Sequence, residues 1–152
     1  MNEIYRIEGT LNKGFVGQIA YTVCLEQTYH RLDIEFSFDK RRYSPEEITP
    51  ELIAETKTLC REKYNLSISD DEARRIILDD MKTELHTLAT LNDQFIGCVH
   101  KQLTDRHMTY DGDFASEGCI PQHEFDGVLT VTVLAFNVLK DATHYALTVR
   151  AE

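Results

Sequence analysis

The sequence has no apolar run approaching the roughly 20 residues that cross a bilayer as a helix. Its opening, MNEIYRIEGT, has no basic segment followed by an apolar one, so it does not read as a secretion signal. It contains no G-x-S-x-G elbow, no P-loop and no G-x-G-x-x-G. The strand-to-helix turns that expose a nucleophilic serine or cradle a phosphate are therefore not announced by any motif. There is no C-x-x-C, and Cys24, Cys60, Cys98 and Cys119 lie far apart. That spacing predicts four reduced thiols in a cytoplasmic protein. Positive charge is also scarce. Sixteen Lys and Arg face 26 Asp and Glu, for a net charge of −10 and a pI near 5.0. Nucleic acids and anionic membranes draw their affinity from neutralised phosphates, so neither is an expected partner. The one basic cluster, Lys40-Arg41-Arg42, is flanked by Asp39, Glu46 and Glu47 and reads as a charged strand end that blocks edge pairing.

What is present describes a soluble globular protein. At 152 residues the chain fits one domain over 1–152, large enough to bury a core without disulfide or metal staples. Its hydrophobic fraction of 42% is too high for a disordered chain.

Three strands open the sequence. In EIYRIEGTL, FVGQIAYTVCL and HRLDIEFSF, apolar residues alternate with polar ones. The last is the cleanest, with Leu32, Ile34, Phe36 and Phe38 against Arg31, Asp33, Glu35 and Ser37. Period two with one polar face implies an antiparallel sheet covered on one side. Helices are expected to supply the cover. Thr49-Pro50-Glu51 starts one that runs to Tyr64, where Asn65 can end it in the left-handed conformation. Ser69 and Glu72 form a capping box. Behind it, Ala73, Ile76, Ile77, Met81, Leu85 and Leu88 make a helical stripe. Residues 92–104 fit either helix or strand and are read as helix, with a break near Asn92. GVLTVTVLAFNVL (127–139) is apolar on both faces, as in a central or interface strand, and HYALTVR returns as its hairpin partner. The expected fold is α+β: an antiparallel sheet of about five strands, three N-terminal and two C-terminal, with two or three helices packed on one face.

Most of the reactive side chains fall in DRHMTYDGDFASEGCIPQHEFDG (105–127), which shows no periodicity. Cys119 is the candidate nucleophile, with His123 or His107 as its base and Asp126 or Glu124 to orient the imidazole. Cys98-x-His100 and Cys119-x-x-x-His123 contain the four ligands of a zinc site, but structural zinc motifs use tighter spacing. Asp111 and Asp113 start like a calcium loop, but the third acid, the central glycine and the final glutamate are missing. No metal and no cofactor are expected. Asp111-Gly112 reads as a turn. The stretch reads as the irregular lead-in to a buried strand, with Phe125 anchoring it to the core.

The reading that results is a non-enzymatic cytoplasmic binding or interaction protein. Its partner is itself, as a homodimer through the C-terminal strands, or another protein. An apolar pocket between sheet and helices, lined by Tyr21, Phe36 and Phe136, is the alternative. A small hydrolase built on Cys119, His123 and His107 is the third.

Overall fold

The computed structural model describes residues 1–101 and 103–152. Among these the chain forms β1 (Asn2–Leu11), β2 (Gly17–Tyr29), β3 (Arg31–Phe38), α1 (Pro50–Tyr64), α2 (Asp70–Asp79), β4 (Glu84–Leu91), β5 (Gln94–Val99), β6 (Asp105–Asp111), β7 (Phe114–Ala115), β8 (Phe125–Asn137) and β9 (Thr143–Ala151). The class is α+β with antiparallel strands, as the residue pattern implies. The strands number nine rather than five and divide between two sheets. Sheet A has the order β1-β9-β3-β6-β7, and sheet B the order β2-β8-β4-β5.

The two sheets cover each other. Leu32, Ile34 and Phe36 of β3 and Leu147 and Val149 of β9 are buried against Leu129, Val131 and Val133 of β8 and Leu85 and Ala89 of β4. Among the described residues, no helical one belongs to this core cluster. The expected helical cover over one sheet face is therefore replaced by a second sheet.

The helices instead sit at the end of the sandwich where β4 begins and β8 finishes. Lys13 Nζ reaches Glu55 of α1 at 3.0 Å, Arg42 donates to the Asp79 carbonyl at the end of α2, and Tyr43 donates to the Leu139 carbonyl. Their caps follow the sequence. Thr49 accepts from the Leu52 N–H, Asn65 adopts φ 53°, and Ser69 accepts from the Glu72 N–H.

Three expected elements change. The stripe behind Ser69 stops at Asp79, and Leu85 and Leu88 belong to β4. In β4 the inward residues are Leu85, Thr87, Ala89 and Leu91, whereas Leu88 points out. Leu85 and Leu88 mimic a helical spacing because the inward positions on either side of Leu88, Thr87 and Ala89, carry small side chains. Residues 94–99 form a strand, not a helix, while residue 102 of that span lies outside the described residues. Asn92 and Asp93 both take positive φ, 48° and 65°. That is what a two-residue hairpin turn requires. Finally, the segments 127–139 and 144–150 are not hairpin partners. β8 pairs with β2 and β4, while β9 crosses to sheet A and pairs with β1 and β3.

A surface tie closes the helical end. Lys140 Nζ donates to both Glu47 carboxylate oxygens at 2.8 and 2.7 Å, and the Ser44 N–H donates to one of them at 2.9 Å. Lys140 first, and then Ser44, hold the Glu47 carboxyl down to about 2. The folded state thus favours the carboxylate. Its contribution is complete above the ordinary value of 4.5 and is lost as pH falls toward 2. The Glu47 side chain is 41% exposed. Screening by solvent therefore keeps that contribution to about 1 kcal/mol or less. Glu47→Gln should lower the melting temperature slightly at neutral pH and flatten its fall between pH 4.5 and about 2. Melts across that range measure both effects.

Candidate functional site

The residues 105–127 are not an unstructured lead-in. Asp105, His107, Thr109 and Asp111 face outward on β6, and Arg106, Met108 and Tyr110 face the core. The alternation is real but hidden, because one inward residue is an arginine. Asp111-Gly112 turns the chain into β7, with Gly112 at φ 60°. The next segment lies along β5. Cys98 N–H donates to the Gly118 carbonyl at 3.0 Å, and Ile120 N–H to the Ile96 carbonyl at 2.8 Å. Phe125 is fully buried, as expected of an anchor.

This contact needs Gly118. Its φ is +85°, and a Cβ there would overlap the Cys98 carbonyl oxygen. Gly118→Ala should cost about 1–3 kcal/mol through the strained backbone alone, read as a lower urea midpoint. An unchanged midpoint would mean that the segment does not bear on β5.

The three candidate catalytic residues are kept apart. The Cys119 thiol packs by Gly97 and contacts the Ser116 hydroxyl at 3.6 Å. Beside it the buried Tyr110 phenol donates to the Ile96 carbonyl at 3.2 Å, and burial above all raises its pKa. His123 is exposed, and its Nε2 lies 3.3 Å from Asp113. His107 Nδ1 lies 3.1 Å from Asp33 on the outer face of sheet A. No hydrogen bond among the described residues joins Cys119 to either imidazole. The zinc candidates come together only in part. Cys98 and Cys119 are neighbours across the β5 contact, but among the described residues they do not gather with His100 and His123 into one set of ligand atoms.

The proposed aromatic pocket also separates. Phe36 is in the core, with the Tyr145 ring 6.0 Å away. Tyr21 is half-buried and shares a hydrogen bond with the Tyr145 hydroxyl; burial and this bond raise its pKa. Phe136 stands on the opposite, outer face of sheet B and is 52% exposed.

Other features take their place. On the outer face of sheet A, Asp33 is almost wholly buried. It accepts from Thr109 Oγ1 at 2.8 Å, and His107 and Arg150 also reach it. Asp33, Glu35 and His107 could offer ligand atoms within 4.8 Å of one another. Arg150 already answers their charge, at 2.6 Å from Glu35 and 3.5 Å from Asp33. The cluster therefore reads as a charge network that knits β3, β6 and β9. At the helical end, an open crevice of about 470 Å³ lies between α1 and the sandwich, lined by Leu52, Thr56, Leu59, Met81 and Leu139.

The outer face of sheet B is different in kind. β2 presents Gln18, Ala20, Thr22 and Cys24, all exposed. β8 presents Val128, Thr130, Thr132, Leu134 and Phe136, and β4 presents His86, Leu88 and Thr90. Glu84 at the end of β4 supplies the carboxylate of that strand's outer face. Sheet A turns out Arg6, Glu8, Arg31, Asp33, Glu35 and Arg150 by comparison.

A family model described as "Family of unknown function (DUF6669)" matches residues 1–152. The chain belongs to that family. No curated protein and no solved structure matches it. The family description names no chemistry. Hydrophobic periodicity alone could have found the uncharged face, since 127–139 is apolar on both sides in the sequence. The crevice had no sequence signal, because its walls come from α1, the segment after α2 and the end of β8.

Proposed function

We propose that this DUF6669 protein is a non-enzymatic, cytoplasmic protein-interaction module, and that the outer face of sheet B is its contact surface. One observation carries the reading: in a chain that is 28% charged, β2 and β8 turn a charge-free face to solvent between Gln18 and Cys24 and between Val128 and Phe136. Interface centres are depleted of charge in the same way. Exposed Val16, Val128 and Phe136 add apolar area to it. A protein surface suits such a face; phosphates do not, given the net charge of −10. The scattered cysteines speak for a reducing compartment. The separation of Cys119, His107 and His123 favours binding over hydrolysis.

The crevice supports a second reading, as a site for an apolar small molecule, since its volume and walls suit one.

A photo-crosslinking amino acid placed at Thr132, and separately at Ser37 on sheet A, tests the first reading in living cells. Discrete protein adducts should form from position 132 and not from position 37. Equal labelling at both positions, or none at 132, would sink it.

A further inference from the structure

We propose that two copies of this chain join edge to edge through β2, antiparallel about a two-fold axis at Tyr21, so that their B sheets become one continuous sheet. The inference rests on sheet B being the interacting sheet and adds a second contact along its β2 edge, which leaves the outer face open to another partner.

Free strand edges invite pairing, and proteins blunt them with charge, bulges, short strands or covering segments. Among the described residues, three of the four edges are blunted. β1 carries Glu3, Arg6 and Glu8 and has a bulge between Glu3 and Tyr5. β5 is covered by the segment 118–120. β7 is two residues long. β2 is the exception. It runs for 13 residues, and from Gly17 to Leu25 it has no charge, no proline and no break in its pairing with β8.

The same side of the sandwich is incompletely closed. The core side chains left partly covered include Ile4, Tyr5 and Ile7 on β1 and Ile19, Tyr21 and Leu25 on β2. A neighbour placed there would both extend sheet B and cover this gap.

Charge points to a second copy as that neighbour. Two chains of charge −10 repel each other, so they can approach only where carboxylates are absent or answered. The uncharged stretch 17–25 is centred on Tyr21. Antiparallel pairing about that centre sets Gln18 against Cys24, Ile19 against Val23 and Ala20 against Thr22. Inward residues meet inward ones, and outward meet outward, as a two-stranded ladder requires. The Tyr21 ring lies 6.4 Å from that of Tyr5, and its hydroxyl meets that of Tyr145, which pairs with Gly9. The axis therefore passes β1 between Tyr5 and Gly9. There Arg6 of one copy comes level with Glu8 of the other, so the charged edge is self-complementary. Closed two-fold pairing of this kind also leaves no free β2 edge for further growth.

Light scattering on the full chain tests the proposal, with Ala20→Lys/Thr22→Lys as the disrupting variant and Gln18→Cys as a trap. The wild type should have twice the chain mass of 17.5 kDa. The lysine pair, which sets like charges directly opposite each other, should return the mass to that of one chain while keeping a single cooperative melt, at a lower midpoint. Oxidised Gln18→Cys should form a covalent dimer through native Cys24, and Cys24→Ser should abolish it. If the lysine pair does not fold, the trap decides alone, and no covalent dimer overturns the proposal. A monomeric wild type also overturns it, while crosslinks to another protein from position 132 would leave the contact-surface reading standing. A dimer that withstands the lysine pair but is broken by Leu134→Lys overturns edge pairing in favour of face-to-face contact.

Discussion

Val131→Asp should leave a chain with no cooperative unfolding transition, whereas Thr132→Asp, one residue further on, should melt much as the wild type does. Val131 lies between the sheets, fully buried, with Tyr21 and Ala89 opposite it on the flanking strands. A carboxylate there finds no cation and no water. Burying it unpaired costs several kcal/mol even after it takes up a proton. Domains of this size have about 5–15 kcal/mol in total, so one such group can remove most of the stability. Thr132 is on the other side of the same strand, with Ala20 and Leu88 as its neighbours in register. An aspartate there remains hydrated. Circular dichroism melts of the two variants measure the contrast. A folded Val131→Asp protein would mean that the sheets do not pack on this face of β8.

Arg106→Ala should cost about 3–5 kcal/mol, as large-to-small core substitutions do, and Arg106→Met less than half as much. Arg106 is 3% exposed, an unusual place for a guanidinium. It lies over the rings of Phe36 and Phe38, at 5.0 and 5.8 Å. From β6 in sheet A its Nη1 donates to the Leu85 carbonyl of β4 in sheet B at 2.6 Å, and to the Lys101 carbonyl at 3.0 Å. Nε and Nη2 find no acceptor among the described residues. Burial pushes its pKa down to about 10, which still leaves the group charged at neutral pH. The charge is thus more a cost than a benefit, and the long side chain stabilises by filling space between the sheets. Truncation to alanine opens a cavity as well as breaking two hydrogen bonds. Methionine refills the volume and removes the charge, at the loss of the same two bonds. Urea denaturation separates the contributions. Equal losses for the two variants would assign the effect to the carbonyl contacts rather than to packing.

Legibility in the sequence followed the range of the interactions involved. Both helix starts were readable, because Thr49-Pro50 and Ser69-x-x-Glu72 satisfy N–H groups within one turn. The clean alternation of β3 was readable because each inward residue is large and apolar. β4 and β6 were not. Small Thr87 and Ala89 sit in the core of β4, and Arg106 sits in the core of β6, so side-chain polarity misreports which way those strands face. The Asn92-Asp93 turn was visible only as a break, since nothing local distinguishes a helix end from a hairpin when FIGCV suits either. Among the candidate sites, the apolar outer residues of β8 were visible as a two-sided strand. Cys119, His107 and His123 are near one another in sequence, but the turn at Gly112 and the contact of Gly118 with β5 hold their side chains apart.

By itself the sequence determined the antiparallel α+β class, the net negative charge, the helix caps and the two-sided apolarity of β8. Each of these depends on residue type or on neighbours within a few positions. Only the tertiary structure decided that two sheets cover each other, that β8 and β9 part company, and that the helices close an end of the sandwich. An extended strand satisfies its hydrogen bonds with a partner that can lie anywhere along the chain. The edge left over on β2 exists only once every other strand has chosen its partners.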